Sequence, residues 1–394
     1  MTIVTAFLAA YAAIAMAYWG YTLWAARACV RSVRPLAGAT KAPASWPSVS
    51  VVVPACNEAD TIAPAARTLM AQDYDDLEIL LVDDRSTDGT GAIIDGLAGE
   101  SARVKALHVT VLPDGWLGKV HALNAGLARA RGDWVLFTDA DVHLRPDTLR
   151  KAVGQCLAHG VDHLALLPVV PPVGLGVEAL IAVFVRHFLC FLVRPWTLGR
   201  PGAAAFVGIG AFNLVRRQAF QATEGFEWLR LEVADDMGLG LLMKRAGAKS
   251  ELASGFEDVS VRWYTSVRGA FRGSEKGVAT VSRFSLLRAL AACTVMLAME
   301  MSPLLGPVLL CWPATRAAGW AGAGVSVLFL AGTTLLARWG RGRILPALLS
   351  PLIAPLMAWA MIRAVLLGRR RGGDLWRGVL YPKQDLLDHM RVKF

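Results

Sequence analysis

Ile79-Leu80-Leu81-Val82-Asp83-Asp84-Arg85-Ser86-Thr87-Asp88-Gly89 is the stretch that decides the fold. Four apolar residues run directly into two carboxylates and a turn-rich segment, and Asp88–Leu97 then reads as a helix. A short apolar run bounded by turn signals is a strand buried on both faces. The pattern recurs on either side. Val49–Val53 is another apolar run, followed by a helical Ala59–Ala71. Val104–Leu112 alternates as a strand, Lys119–Arg131 is helical, and Trp134–Thr138 is a strand ending in Asp139-Ala140-Asp141. Strands alternating with helices of this length predict an α/β fold, a mostly parallel sheet between helices. In such sheets ligands sit beyond the carboxyl ends of the strands, and the acidic pairs occur there.

Two carboxylate pairs at strand ends of one sheet repel each other unless a cation or hydrogen-bond donors satisfy them. A divalent ion held by one or two carboxylates plus substrate phosphates is the usual solution for Mg²⁺-like metals. The plainer reading keeps Asp88 as a helix cap and Asp83 and Asp84 as a solvated turn.

Two further segments carry chemistry. In Asp114-Gly115-Trp116-Leu117-Gly118-Lys119 a lysine opens a helix behind a glycine, where it and the free amides can meet a phosphate. A surface lysine capping a loop is the alternative. In Glu232-Val233-Ala234-Asp235-Asp236-Met237, Asp236 begins a helix with Leu239, Leu242 and Met243 on one side. Acids in a first turn also simply complement the helix dipole.

Val53-Pro54-Ala55-Cys56-Asn57-Glu58, Val82–Thr90 and Asp139-Ala140-Asp141, in this order and spacing, resemble a family 2 glycosyltransferase with a GT-A fold. The resemblance spans about residues 48–285. It implies that Pro54, Asn57, Glu58, Asp83 and Asp84 line the donor nucleotide pocket. It also implies that Asp141 and Asp139 are the DxD motif holding Mg²⁺ or Mn²⁺ on the diphosphate, that Lys119 lies near that diphosphate, and that Asp236, with Asp235 second, is the general base. A carboxylate within hydrogen-bond reach would remove the proton of an acceptor hydroxyl as the new bond forms. Arg85 stands where the family commonly has glycine. The Gly-Trp-x-Gly-Lys form is similar to membrane enzymes that glycosylate polyprenoid lipids, including hopene-associated and carotenoid-acid glycosyltransferases. The QxxRW of processive members is missing, since Arg262-Trp263 follows Asp258-Val259-Ser260-Val261. Arg268, Arg272 and Lys276 recur at every fourth residue of a helical stretch beside Glu275. They fit contact with a donor diphosphate or headgroup, and equally an interfacial helix. Leu375–Tyr381 resembles the W-x-G-x-x-Y tail of membrane-bound relatives, without an assigned role.

Composition places this domain at a bilayer. The 394 residues are 55% hydrophobic and 18% charged, against about a quarter charged in soluble domains, and mean hydropathy is +0.45. The net charge of +10 would suggest nucleic acid, but its distribution excludes that partner. Residues 1–47 hold four basic residues and no acid, and residues 338–394 hold eleven basic residues and three acids. The stretch between them holds 26 basic and 28 acidic residues. The excess thus sits beside apolar segments, where it sets topology and meets anionic headgroups. The six scattered cysteines make neither a disulfide framework nor a zinc site.

Ile3–Trp24 lacks charge over 22 residues and is followed by Arg27, Arg31 and Arg34, as expected of an uncleaved anchor with its N-terminus outside. Residues 1–47 are therefore an anchor and basic linker, 48–285 the transferase domain, and 286–394 a membrane region of two or three spans with a basic tail. Arg338–Arg343 and Arg369–Arg371 both look cytoplasmic. One segment, Pro-rich Ile344–Leu367 or Glu300-bearing Ala289–Trp312, is then re-entrant or interfacial. Ala179–Val193 is a further membrane-facing candidate.

The expectation is a multi-pass inner-membrane enzyme with its catalytic domain in the cytoplasm. It moves a sugar, with inversion, from a nucleoside-diphosphate sugar (a UDP-sugar first) to a membrane lipid. A processive polysaccharide synthase and a non-catalytic scaffold of a lipid-modifying complex are the alternatives.

Overall fold

The computed structural model describes residues 3–38, 43, 45–200 and 202–393, with Thr5, Ser274, Lys276 and Ala314 described by backbone alone. The α/β part runs β1 (Val49–Ala55), α2 (Ile62–Met70), β2 (Leu77–Asp84), α3 (Thr90–Glu100), β3 (Val104–Val109), α4 (Gly118–Arg129) and β4 (Trp134–Phe137). It continues through β5 (Val142–Leu144), α5 (Thr148–His159), β6 (His163–Val169), β7 (Asn213–Arg216), α7 (Arg217–Gln221), α8 (Gly225–Trp228), α9 (Asp235–Arg245) and β8 (Ser250–Val261). The long apolar helix α1 (Ile3–Ser32) precedes it, and α6 (Leu175–His187), with a π-helical turn at Phe188–Val193, leaves it between β6 and β7. After it come α10 (Val267–Val281), α11 (Leu286–Leu309), α12 (Arg316–Trp339), α13 (Ile344–Leu348), α14 (Ser350–Arg371), the hairpin β9 (Gly373–Trp376) and β10 (Val379–Pro382), and α15 (Lys383–His389).

Eight strands form one sheet in the order β3-β2-β1-β4-β7-β6-β8-β5. The expected parallel ladder holds where β1 pairs with β2 and β4, and β2 with β3. Beyond β4 the sheet is mixed, because β7 enters antiparallel to both β4 and β6, and β5 antiparallel to β8. Period-two alternation separates two cores. Val51, Val53, Ile79, Leu81 and Leu136 face α2, α3 and α5 through Ile62, Leu69, Ile94 and Leu149. Val52, Leu80, Val82 and Phe137 face α4 and α9 through Val120, Leu123, Leu239 and Leu242. Helices on both faces leave the strand ends as the open surface. The strand order reverses direction of growth between β1 and β4, and a crevice opens at such a switch point.

Among the described residues, five helical segments are long and apolar enough to cross a membrane: 6–32, 175–197, 286–309, 316–339 and 350–371. α11 stays helical through Pro303 and Pro307 because the carbonyls these prolines leave without a donor find side chains. Trp19 Nε1 and Ser302 Oγ donate to Met299 O, and Ser326 Oγ donates to Pro303 O at 2.6 Å. Gly306 and Gly322 bring α11 and α12 together so closely that a Cβ on Gly306 would lie 2.1 Å from the Gly322 carbonyl carbon. Glu300, conspicuous in an apolar run, is fully buried and paired with Arg186 of α6. On the two flanks of α14, Arg341 pairs with Glu257 of β8, and Arg377 with Glu58 just after β1.

Candidate active site

The site lies beyond the carboxyl ends of β1, β2 and β4 and is closed by the first turn of α9. After β1 the chain turns sharply at Asn57 (φ 55°), whose Oδ1 accepts from Thr87 N at 2.7 Å while its own N–H donates to Ser86 Oγ. Glu58 N donates to Thr90 Oγ1 at 2.8 Å. The loops after β1 and β2 are thus tied into one rim. Pro54 sits inside β1, in register with Val82.

Asp83 and Asp84 end β2 and are buried. Asp83 accepts from Ser86 N at 3.2 Å and meets His108 Nδ1 at 3.2 Å, and His108 in turn reaches Asp95. Asp84 is forked by its neighbour Arg85, at 2.7 Å from Nε and 3.1 Å from Nη2. Arg85 has φ 56°. That left-handed conformation is free of strain only for glycine, and the two bonds to Asp84 supply what an arginine needs to hold it. Gly118, at the start of α4, is packed against this pair; a Cβ there would lie 2.3 Å from Asp84 Oδ2.

Lys119 joins the second acidic pair to the third segment. Its Nζ lies 2.7 Å from Asp139 Oδ1 and 3.0 Å from Asp235 Oδ2. Burial works against the charge on Lys119, but Asp139 and Asp235 outweigh it and hold the ammonium well above its ordinary range. Asp236, one residue on, accepts from Gly210 N at 3.0 Å and from its own helix at Met237 N. Burial, then the neighbouring Asp235, pushes its carboxyl up to about 6. Asp141 is likewise pushed up to about 6, by burial first and then by Asp139 and Glu58.

This donor set suits a hard divalent cation. Asp139 and Asp141 offer carboxylate oxygens, and Asp141 has burial and two acidic neighbours disfavouring its charge, which a bound cation would reverse. Among the described residues, no group of three or more His, Cys, Asp or Glu side chains forms a ligand cluster. In holding such an ion the protein would supply these two carboxylates, with phosphates and water as the other ligands.

On the other side of the acids a cavity of about 340 Å³ opens. Asp139, Asp141 and Asp236 line one end, and Phe184, Phe188, Trp263 and Trp339 line its walls. Those walls come from α6, the π-helical turn, the segment after β8, and α12. Arg272 is not among its lining residues. It lines a separate groove between α10 and α14 with Arg268, Phe271, Trp359 and Arg363. The side chain of Lys276 lies outside the described residues.

Four contributors were not read from the sequence. Gly210 approaches so closely that a Cβ would lie 2.7 Å from Asp139 Oδ2, and Gly208 packs against the Asp236 carbonyl; the signal was the Gly208-Ile209-Gly210 spacing. His108 holds Asp83. Arg377, from the C-terminal hairpin, donates to Glu58 Oε1 at 2.8 Å.

Residues 50–222 match the family described as Glycosyl transferase family 2. The succinoglycan biosynthesis protein ExoO of Rhizobium meliloti is 38% identical over 116 residues, 29% of this chain and 32% of that protein. A beta-monoglucosyldiacylglycerol synthase of Synechocystis is 38% identical over 110 residues, 27% of this chain and 22% of that enzyme. The matched segments thus cover about a fifth to a third of these curated relatives. A mannosyltransferase from Pyrobaculum calidifontis, solved with GDP-Man and Mn²⁺, superposes with a TM-score of 0.54 at 20% identity, over 92% of this chain and 99% of that one. This is likeness of fold.

Proposed function

We propose that this glycosyltransferase, carrying a family 2 domain at residues 50–222, moves a sugar from a nucleoside-diphosphate donor to a membrane-lipid acceptor with inversion. The observation that carries the reading is the 340 Å³ cavity, which has Asp139, Asp141 and Asp236 at one end and walls built largely from apolar helices. An acceptor with a hydroxyl at the head of a hydrocarbon body matches a space that has these carboxylates and mostly apolar walls, with Glu178, Arg186 and Arg343 as the other charged lining residues.

The donor nucleotide lies over the ends of β1 and β2, against Asn57, Glu58, Asp83 and Asp84, with its diphosphate directed to Lys119 and the Asp139–Asp141 turn. Asp139 and Asp141 would hold a Mg²⁺ or Mn²⁺ ion, which when bound offsets the charge of the departing diphosphate. Asp236, fixed by Gly210 N and Met237 N, takes the acceptor proton. The acceptor oxygen attacks the anomeric carbon while the bond to the diphosphate oxygen breaks on the opposite face. Burial and the neighbouring Asp235 raise the Asp236 carboxyl, which makes the ionised form a stronger proton acceptor than an exposed aspartate. Lys119 keeps Asp139 and Asp235 from repelling one another and the donor.

The likeness to a fold solved with GDP-Man and Mn²⁺ and the lipid-glycosylating relative support this reading. A UDP-sugar donor and a polyprenoid, hopanoid or carotenoid-like acceptor are its finer form. In this reading α1, α11 and α12 cross the membrane and α14 lies along it, with the catalytic domain and tail on the cytoplasmic face; the pairing of Arg341, before α13, and of Arg377, after α14, with the α/β domain supports that arrangement. The name of the Rhizobium relative favours a second reading, assembly of a polysaccharide. Both are tested by one comparison: lipids and polysaccharides from cells carrying wild type or Asp236→Asn. Loss of a glycolipid, with nucleotide binding by the purified variant intact, supports the first reading. A glycolipid that persists overturns it.

A further inference from the structure

The C-terminal hairpin has no place in the mechanism above, yet its tip reaches the donor side of the site. β9 and β10 pair antiparallel about Arg377-Gly378, with φ 47° and 81°. Two left-handed residues make the tight turn whose twist suits a hairpin, and they aim the Arg377 side chain away from the strands. The base of the hairpin is fixed. Asp374 accepts from Thr280 Oγ1 of α10 at 2.7 Å with both groups buried. Gly373 touches the Tyr381 backbone so closely that a Cβ would lie 1.9 Å from its oxygen. Tyr381, Leu386 and Val365 share the core on the α4 face of the sheet.

From this base two side chains reach the site. The Tyr381 hydroxyl faces the N–H of Gly118, the first residue of α4, beside Asp84 and Arg85. Arg377 meets Glu58 Oε1 at 2.8 Å and the Cys56 thiol, and its side chain is 41% exposed. The charges at the mouth set it apart. Lys119 has two acidic partners and Arg85 spends its fork on Asp84. Arg377 has a single carboxylate oxygen, and a guanidinium carries five N–H donors. Glu58 sits on the rim that ties the loop after β1 to the loop after β2, over which the donor is placed, so the guanidinium stands at the mouth where that donor enters. Arginine's planar fork suits phosphate oxygens, and such charge-assisted bonds are the strong ones.

We propose that Arg377 is a donor-binding residue: the hairpin forms the outer wall of the nucleotide site, and its guanidinium grips the diphosphate of the donor while Tyr381 fixes the start of α4. The inference rests on the nucleotide-sugar reading given above. Its ligand is the diphosphate, as distinct from the base.

The test uses the full chain in detergent, with UDP, GDP, uridine and guanosine as probes in the presence of Mn²⁺. Arg377→Ala is expected to weaken UDP or GDP binding at least tenfold, to raise KM for the donor more than it lowers kcat, and to leave nucleoside binding unchanged. Arg377→Lys should recover part of the loss. In the wild-type chain, amide exchange over residues 373–382 should slow when the nucleotide is added. Equal diphosphate affinity in wild type and Arg377→Ala, or hairpin exchange indifferent to nucleotide, overturns the proposal while the donor reading stands. A wild-type chain that binds neither UDP nor GDP overturns both. Should Arg377→Ala fail to fold, the exchange measurement decides alone.

Discussion

Lys119 Nζ and Asp139 Oδ1 lie 2.7 Å apart, which ties the start of α4 to the end of β4 across the crevice. The same ammonium reaches Asp235 at the start of α9, so one cation holds three elements around the site. Lys119→Ala leaves two carboxylates facing each other without counter-charge. Breaking a buried pair in this way destabilises by roughly 3–5 kcal/mol. Lys119 is 23% exposed, which lowers the expectation to about 2 kcal/mol after allowing for solvent screening. Chemical denaturation checks it. Adding Asp235→Asn should restore most of that stability without restoring sugar transfer, whereas unchanged stability in Lys119→Ala would deny the bridging role.

Gly210→Ala and Gly208→Ala should part company. The new methyl at 210 meets the far end of a side chain, Asp139 Oδ2 at 2.7 Å, whereas the one at 208 meets the Asp236 backbone oxygen at 1.7 Å. A carboxylate can swing aside and a helix backbone cannot. Gly210→Ala is therefore expected to fold normally and lose at least tenfold in kcat, and Gly208→Ala to lose its cooperative unfolding transition. Equal effects in the two variants would remove the argument.

Chelation tests the Asp139–Asp141 turn. Transfer should fall at least a hundredfold in EDTA and return on adding Mn²⁺ or Mg²⁺. Asp141→Asn should need more metal to reach half of its own maximal rate. Full activity in EDTA would end the assignment of these carboxylates to a cation.

Acid should loosen the middle of the sheet through His163. Its ring is fully buried, with Nε2 donating to Asn213 Oδ1 and Nδ1 accepting from Ser250 Oγ. Burial pushes its pKa down to about 4, partly opposed by Asn213, against an ordinary 6.5. The unfolded chain therefore binds the proton first, and the contribution is complete above 6.5 and lost as pH falls toward 4. Between pH 7 and pH 5 the loss is about 2 kcal/mol by linkage. His163→Gln should flatten that part of the stability profile, and an equally steep profile in the variant would show the effect lies elsewhere.

The first half of the α/β domain was legible because its strands are buried on both faces. Val49–Val53, Glu78–Val82 and Trp134–Thr138 read as apolar runs and prove to be β1, β2 and β4. Each ends in the residues that line the crevice, so reading the strands located Asn57, Asp83 and Asp141 as well. Local patterns failed where order is imposed from a distance. β7 is four residues long and antiparallel to both neighbours, and no periodicity in Asn213–Arg216 announces that. Arg85 was visible as an arginine in a glycine's place, but its positive φ and its fork on Asp84 were not. The pairing of Arg377 with Glu58 spans 319 positions, and nothing in Trp376-Arg377-Gly378 points to Glu58.

That separation has a temporal side. At about 5–20 residues per second of synthesis, Glu58 precedes Arg377 by on the order of 15–60 s. In that interval α11, α12 and α14 must be made and packed before the hairpin can reach β1. The strand ends are thus ready early, while the rim of the crevice is completed only after the apolar helices are in place. A nascent chain stalled or cut before residue 377 would carry every carboxylate of the site and still lack its outer wall. The architecture makes the packing of these apolar helices a step that must precede completion of the site's rim.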